Sequence, residues 1–214
     1  MAILYPVFLN LSNKRCLVAG GGLVGERKVL GLLEAEAQVV LVSPDMTQGL
    51  RDLFEKGQIV WIARKFLPVD LIDCFLAIAA TNYPHVNVEI VSEAKKRGLL
   101  FCGVDSDSQG NFLVPSVVRR GDLQLAISTG GASPAYSRLI REDLEQMFGE
   151  EHALFLVHLK KWRKQVMKQF PDDRERRRKI WQTIVNREVL ALVAAGHWDQ
   201  IEERVSACLS LSSA

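Results

Sequence analysis

Between residues 15 and 28 the chain runs Arg15-Cys-Leu-Val-Ala-Gly20-Gly-Gly22-Leu-Val-Gly25-Glu-Arg-Lys28, a Gly-x-Gly-x-x-Gly turn set directly after an apolar strand pattern and opening a helical one. In such a turn Gly20 permits a tight bend, Gly22 lets the backbone approach a pyrophosphate, and Gly25 lets the helix pack closely on the strand. The phosphate then meets unpaired N–H groups and the positive end of the helix dipole. The run predicts a βαβ unit that binds NAD or NADP, with Gly20, Gly22, Leu23, Val24 and Gly25 as the contacts.

From there to about residue 105 the chain keeps the same grammar. Apolar runs at Gln38–Val42, Ile59–Ala63, Cys74–Ala80 and Leu99–Val104 alternate with helical patterns near 24–36, 47–56 and 83–97. Runs apolar throughout, separated by helices of 10 to 15 residues, predict an α/β doubly wound parallel sheet covered on both faces. The apolar N-terminus, Met1 to Leu11, is expected to be a first strand: no positive charge precedes Lys14, Pro6 interrupts it, and no small-residue cleavage site follows. No apolar run approaches the roughly 18 to 20 residues of a membrane span, so a cytoplasmic location without a membrane partner is expected.

The pattern changes at Phe112. The stretch to Ser128 predicts two strands turned at Arg120-Gly121-Asp122, and Ser133-Pro134 predicts a helix start with the serine as cap and proline in the first turn. Apolar residues at helical spacing then continue to the C-terminus. The predicted division is 1–111 for dinucleotide binding, 112–133 for a strand pair and 134–214 for a helical domain.

An acidic residue about 20 positions after the glycine turn normally bonds a ribose hydroxyl. Here the second strand ends Val42-Ser43-Pro44-Asp45, so the acid comes late; Ser43, Pro44 and Asp45 all stand at the ribose position, and NADP is not excluded. After the fourth strand, Thr81 and Asn82 fall where the sheet approaches the nicotinamide half. Asn82 and Asn87 are candidates for the ribose or amide, against an ordinary turn at Asn82-Tyr83-Pro84.

The remaining chemistry-bearing residues are dispersed. Cys16, Cys74, Cys102 and Cys208 fit neither a zinc site nor a disulfide framework, and His85, His152, His158 and His197 form no cluster suited to a metal. Although the net charge is only +2, ten lysines and arginines lie between Lys160 and Lys179. Such a block suits an anionic ligand or a solvated helix face. No DNA-reading motif accompanies it, and no nucleic-acid partner is expected.

Taken together, Gly20-Gly-Gly-Leu-Val-Gly-Glu-Arg-Lys, Ala77-Ile-Ala-Ala-Thr-Asn, Phe112-Leu-Val-Pro-Ser and Ala126-Ile-Ser-Thr-Gly-Gly-Ala-Ser-Pro resemble the precorrin-2 dehydrogenase and sirohydrochlorin ferrochelatase family, the N-terminal module of siroheme synthase. The resemblance covers about residues 3 to 170. It implies oxidation of precorrin-2 to sirohydrochlorin with NAD as acceptor, and in some members insertion of ferrous iron as a second substrate. It also implies a strand-exchanged dimerisation region, a homodimer, a tetrapyrrole substrate, and a separate methyltransferase to supply it. The family's functional aspartate falls on Asp105, with Asp107 as a substitute because the loop is one residue shorter than in some relatives. Ser128, Thr129 and Gly130, before the predicted helix, would hold a substrate carboxylate or act as a hinge, and Arg119 and Arg138 are further candidates for the carboxylates. The alternative from another class is a regulatory module that binds NAD without chemistry.

Overall fold

The computed structural model describes residues 4–103 and 110–210, which fall into two compact units, 1–114 and 115–214. In the first unit five strands, β1 (Arg15–Ala19), β2 (Gln38–Val42), β3 (Ile59–Ile62), β4 (Leu76–Ala79) and β5 (Leu100–Gly103), form one parallel sheet in the order β3-β2-β1-β4-β5. Their alternate side chains enter two separate cores. Cys16, Val18, Val39, Leu41 and Ile78 point to one face, and Leu17, Ala19, Val40, Val42 and Ala77 to the other. Burial on both faces is why these strands read as unbroken apolar runs.

Helix α1 (Leu23–Glu34) covers the first face with Gly25, Val29 and Leu32. Helix α2 (Gln48–Glu55) starts at Thr47, whose hydroxyl accepts the N–H of Leu50, and buries Leu50 against the same face. A 3₁₀ turn at Pro68–Leu71 and helix α3 (Pro84–Lys96) cover the second, burying Leu71, Ile90 and Ala94. Pro84 pre-sets the first turn of α3, and Lys95 and Lys96 sit at its carboxyl end, where cations complement the dipole. Beneath the 3₁₀ turn, Asp70 accepts a bidentate pair of hydrogen bonds from Arg64 at 2.6 and 2.8 Å and one from the Leu67 N–H at 2.9 Å. Burial pushes the Asp70 carboxyl upward, but these donors outweigh it and hold it below the ordinary aspartate value.

The N-terminal expectation requires correction. Residues 4–11 form no strand: Tyr5 is 88 % and Phe8 69 % exposed, and only Leu11 enters the core. Apolar composition cannot make a strand without a neighbour to take its backbone groups, and Pro6 removes one donor. The next residues are tied down, with the Ser12 N–H donating to Asn10 Oδ1 and the Asn13 N–H to the Glu36 carbonyl.

In the second unit β6 (Ser116–Arg120) and β7 (Leu123–Ile127) form an antiparallel pair turned at Gly121-Asp122, where Gly121 has φ +55°. Phe112 to Pro115 precede the pair and lie outside it. Beyond it come five helices: α4 (Pro134–Met147), α5 (Glu150–Gln169), α6 (Arg174–Ile184), α7 (Arg187–Ala195) and α8 (Trp198–Ser210). Side-chain caps start three of them, Ser133 on α4, Asp173 on α6 and Asn186 on α7, each accepting an N–H three residues on. Helices α5 to α8 enclose one core around Trp162, Val166, Ile184, Val189 and Ile201. Among the described residues no helix is long and apolar enough to cross a membrane.

Candidate functional site

The chain runs outward from β1 to β3 on one side and returns to β4 and β5 on the other, so the strand order reverses between β1 and β4. Ligands of such sheets bind outside the carboxyl ends of the strands at that reversal. The glycine turn lies there. Gly20 has φ +116°, its N–H donates to the Val42 carbonyl at 3.0 Å, and a Cβ on it would stand 2.2 Å from the Ala80 carbonyl oxygen. Gly20 is required because the ends of β1 and β4 approach too closely for any side chain. A Cβ on Gly25 would meet the Gly20 carbonyl at 2.0 Å, so the third glycine sets the helix against the strand.

Gly22 has a different reason to be glycine. It is the N-cap of α1, with no side chain capping the helix and no atom within 4 Å of a Cβ. Leu23 and Val24 beyond it are 79 % and 40 % exposed. No side chain caps the first-turn N–H groups, the arrangement that receives a phosphate.

At the end of β2 the Ser43 side chain is buried, at 3 % exposure, yet its hydroxyl has no hydrogen-bond partner. The Ser43 backbone is fully engaged: its N–H donates to the Ile62 carbonyl and its own carbonyl accepts from Trp61 Nε1 at 3.0 Å. Buried hydroxyls are ordinarily satisfied, so an orphan beside a glycine turn marks a place for a ligand atom. Pro44 and Asp45 are exposed. The unpartnered hydroxyl, the open N-cap and the close glycine approach together fit a dinucleotide.

The glycine motif leaves two positioning residues unmarked. Gly21 occupies an x position, but a Cβ there would fall 2.1 Å from the Asp45 carbonyl oxygen and 2.7 Å from Ser43 Oγ, and its own carbonyl accepts the Thr47 N–H at 2.9 Å. Glu26, in the first turn of α1, accepts a hydrogen bond from the Thr47 hydroxyl. The Gly-Gly-Gly run is the only trace of the first in the sequence; the second depends on a residue 21 positions away.

After β4, Thr81 is clasped by Asn87 of α3. The Asn87 amide oxygen accepts from both the Thr81 N–H (3.1 Å) and its hydroxyl (2.7 Å), while Nδ2 donates to the Thr81 carbonyl at 2.9 Å. Asn87 is 2 % exposed and its amide is taken up, so it shapes the loop and does not reach a ligand, contrary to its expected contact. Asn82 is exposed. On α1, burial lowers the Lys28 ammonium below the ordinary lysine value, opposed by the neighbouring Cys102 thiol and reinforced by Arg27. Asp105 and Asp107 lie outside the described residues.

In the second unit, the Thr129 hydroxyl donates to the Ser133 carbonyl and accepts its N–H, both at 3.1 Å, and Ser128 Oγ accepts from the Gly130 N–H. Gly130 and Gly131 both have positive φ, at 62° and 85°, carrying the chain into α4. Arg138 bonds Glu142 at 2.8 Å on the exposed face of α4, and Arg119 is exposed on β6. Arg120 is used structurally, donating to the Glu145 carbonyl at 3.0 Å and standing 3.5 Å from Glu150. Gly20, Gly22, Gly25, Ser43 and Thr81 are therefore gathered at one edge of the first unit, while Ser128 to Gly130 and Arg138 gather around α4 in the second.

Residues 7–116 match the model for a putative NAD(P)-binding family, 120–147 that for the sirohaem biosynthesis protein central region, and 157–209 that for the sirohaem synthase dimerisation region. The chain belongs to the siroheme synthase family. Siroheme synthase of Mannheimia succiniciproducens is 36 % identical over 182 residues, 85 % of this chain and 38 % of the relative. That of Photorhabdus laumondii is 34 % identical over 207 residues, 97 % of this chain and 44 % of the relative. The chain thus spans about two fifths of the length of these curated relatives. The solved structure of SirC, a precorrin-2 dehydrogenase, superposes with a TM-score of 0.77 at 29 % identity, covering 94 % of this chain and all of that one.

Proposed function

We propose that this member of the family is an NAD-dependent dehydrogenase that removes two electrons from precorrin-2 to give sirohydrochlorin. The observation that carries the reading is the dinucleotide crevice, with its unpartnered Ser43 hydroxyl, in a chain that aligns along almost its whole length with a precorrin-2 dehydrogenase. Bound in that crevice, the nicotinamide supplies the hydride acceptor. Gly20, Gly22, Leu23, Val24 and Gly25 present backbone to the pyrophosphate; Ser43, Pro44 and Asp45 border the ribose; Thr81, held by Asn87, and Asn82 border the nicotinamide half.

Loss of hydride leaves the macrocycle cationic and its pyrrole N–H acidic, so an ordinary carboxylate suffices to take the departing proton. Asp105, which comes soon after β5 in the sequence, is assigned that role, with Asp107 as its substitute. Arg119, Arg138 and the Ser128 to Gly130 turn take substrate carboxylates. Residues 1–111 bind the cofactor, 112–133 form dimerisation strands exchanged with a second copy, and 134–214 form the helical domain.

The test is anaerobic incubation with precorrin-2 and NAD: reduced nicotinamide should appear only when both are present, and far less of it with NADP. Asp105→Ala should abolish turnover while leaving NAD binding intact; full activity in that variant would remove Asp105 from the mechanism. No turnover by the intact chain, with NAD binding retained, would favour a regulatory module instead. Insertion of ferrous ion into sirohydrochlorin belongs to the same proposal, with Asp105 taking the pyrrole protons. It is tested with ferrous or cobaltous ion in place of NAD.

A further inference from the structure

Between β2 and α2 the chain arches over Gly21. A Cβ on Gly21 would stand 2.7 Å from Ser43 Oγ at one foot of the arch and 2.1 Å from the Asp45 carbonyl oxygen at its crown, while the Gly21 carbonyl accepts the Thr47 N–H at the other foot, 2.9 Å away. From α1, Glu26 reaches this arch. Its N–H donates to the Gly22 carbonyl at 2.9 Å in the first turn, and its half-buried carboxylate accepts a hydrogen bond from the Thr47 hydroxyl. A Cβ on Gly49 would fall 2.2 Å from Glu26 Oε1 and 2.8 Å from its carboxyl carbon, so Gly49 leaves room for that carboxylate at the start of α2. Arg51, the cation of α2, is laid over the Trp61 ring, 5.9 Å from its centroid. The other acid of the arch, Asp45, is exposed and turns its carbonyl to the glycine.

We infer that Glu26 selects NAD over NADP, by setting a fixed negative charge where the 2′-phosphate of NADP would come. The inference rests on the NAD reading above and adds the group that enforces it. With the pyrophosphate at the uncapped start of α1 and the ribose at the Ser43 hydroxyl, the ribose 2′ position comes to the arch that Glu26 touches. NADP differs from NAD only by a phosphate at that position. Dinucleotide folds commonly favour the free hydroxyl with an acid near the end of the second strand, or accommodate the phosphate with an arginine. Here Ser43 follows that strand, and the carboxylate comes from the first helix instead. Glu26 acts on the phosphate in two ways: it occupies the positive start of α2, which would otherwise draw an anion, and it repels the added charge directly. A 2′-hydroxyl carries no charge and meets neither effect.

The intact chain is titrated with NADH and with NADPH, each followed by nicotinamide fluorescence. The parent should bind NADH more tightly. Glu26→Gln, whose carboxamide oxygen can still accept from Thr47, should narrow that preference by about tenfold, mainly by tightening NADPH, as expected when one like charge is removed from a half-buried position. Raised salt should narrow the parent's preference more than that of the variant. Thr47→Val, which removes the hydroxyl and keeps the charge, should retain the preference even if both nucleotides bind more weakly. Equal weakening of NADH and NADPH by Glu26→Gln would make Glu26 a structural tie of the arch and overturn the inference, as would a preference that survives the substitution intact. A parent that binds NADPH as tightly as NADH defeats the NAD reading itself, and the inference with it, so the two failures are distinguishable.

Discussion

A single methyl group separates glycines that the cofactor motif treats alike. On Gly25 it would be driven to 2.0 Å from the Gly20 carbonyl oxygen, a backbone atom that cannot rotate away, so Gly25→Ala should destabilise the first unit by about 1 to 3 kcal/mol and weaken NAD binding with it. On Gly22 it meets open space. Gly22→Ala should cost only about 0.5 to 1 kcal/mol, the difference between glycine and alanine at an N-cap, yet weaken NAD binding strongly because the methyl stands where the phosphate approaches. Thermal denaturation of the apoprotein beside a fluorescence titration with NADH resolves the two. Ser43→Ala should give the opposite profile to Gly25→Ala: apoprotein stability unchanged or slightly higher, since an unsatisfied buried hydroxyl is removed, and NAD affinity lower. A stable variant with unchanged affinity would take Ser43 out of the site. The glycines are legible in sequence because their constraints are local or reach only the adjoining strand ends. The Ser43 hydroxyl and the Asn87 clasp are not, because whether a polar group is taken up depends on what the fold brings beside it. Asn87 sits at a plausible contact position and is consumed by Thr81.

At the level of elements, the strands of the parallel sheet are legible because burial on both faces leaves continuous apolar runs, and α4 because Ser133-Pro134 states its own start. The N-terminal segment is misjudged for a complementary reason: its apolar character has no strand beside it in the described chain to pair with. Nothing in the sequence spacing announces the Arg64–Asp70 pair, which fastens the 3₁₀ turn beneath the sheet. Because the folded Asp70 carboxyl titrates below its unfolded value, its contribution is complete above about pH 4, the ordinary aspartate value, and disappears as the pH falls through the lower folded value. Asp70→Asn should therefore be less stable than the parent at neutral pH, and chemical denaturation at successive pH values should bring the two together in acid. A stability gap that stays constant down to about pH 2, below the ordinary aspartate range, would show that the charge is not what Asp70 contributes. In the helical unit Trp162, 1 % exposed and in edge contact with Phe155, is the largest fully buried side chain, and Trp162→Ala should cost about 3 to 5 kcal/mol.

At the scale of the whole molecule, the two units differ in how much they can hold together alone. The first has a five-stranded sheet with a core on each face, whereas the second begins with a two-stranded pair, and isolated two-stranded ribbons are marginal in water. Pairing with a second copy, as proposed, would supply the missing neighbour. The unfolding midpoint should then rise with protein concentration; a midpoint independent of concentration over two decades would argue against an obligate pair. The thiols provide a way to follow the first unit by itself. Cys16, with no exposure in the middle of the sheet, has its thiol pushed up to about 11 by burial and by the nearby Cys74, and Cys208 lies half-buried on α8 in the other unit. A protonated, enclosed thiol does not react until its surroundings open. The alkylation rate of Cys16 thus counts openings of the cofactor unit, whereas the half-exposed Cys208 needs no opening to react, and a saturating dose of NAD should slow the first clock alone.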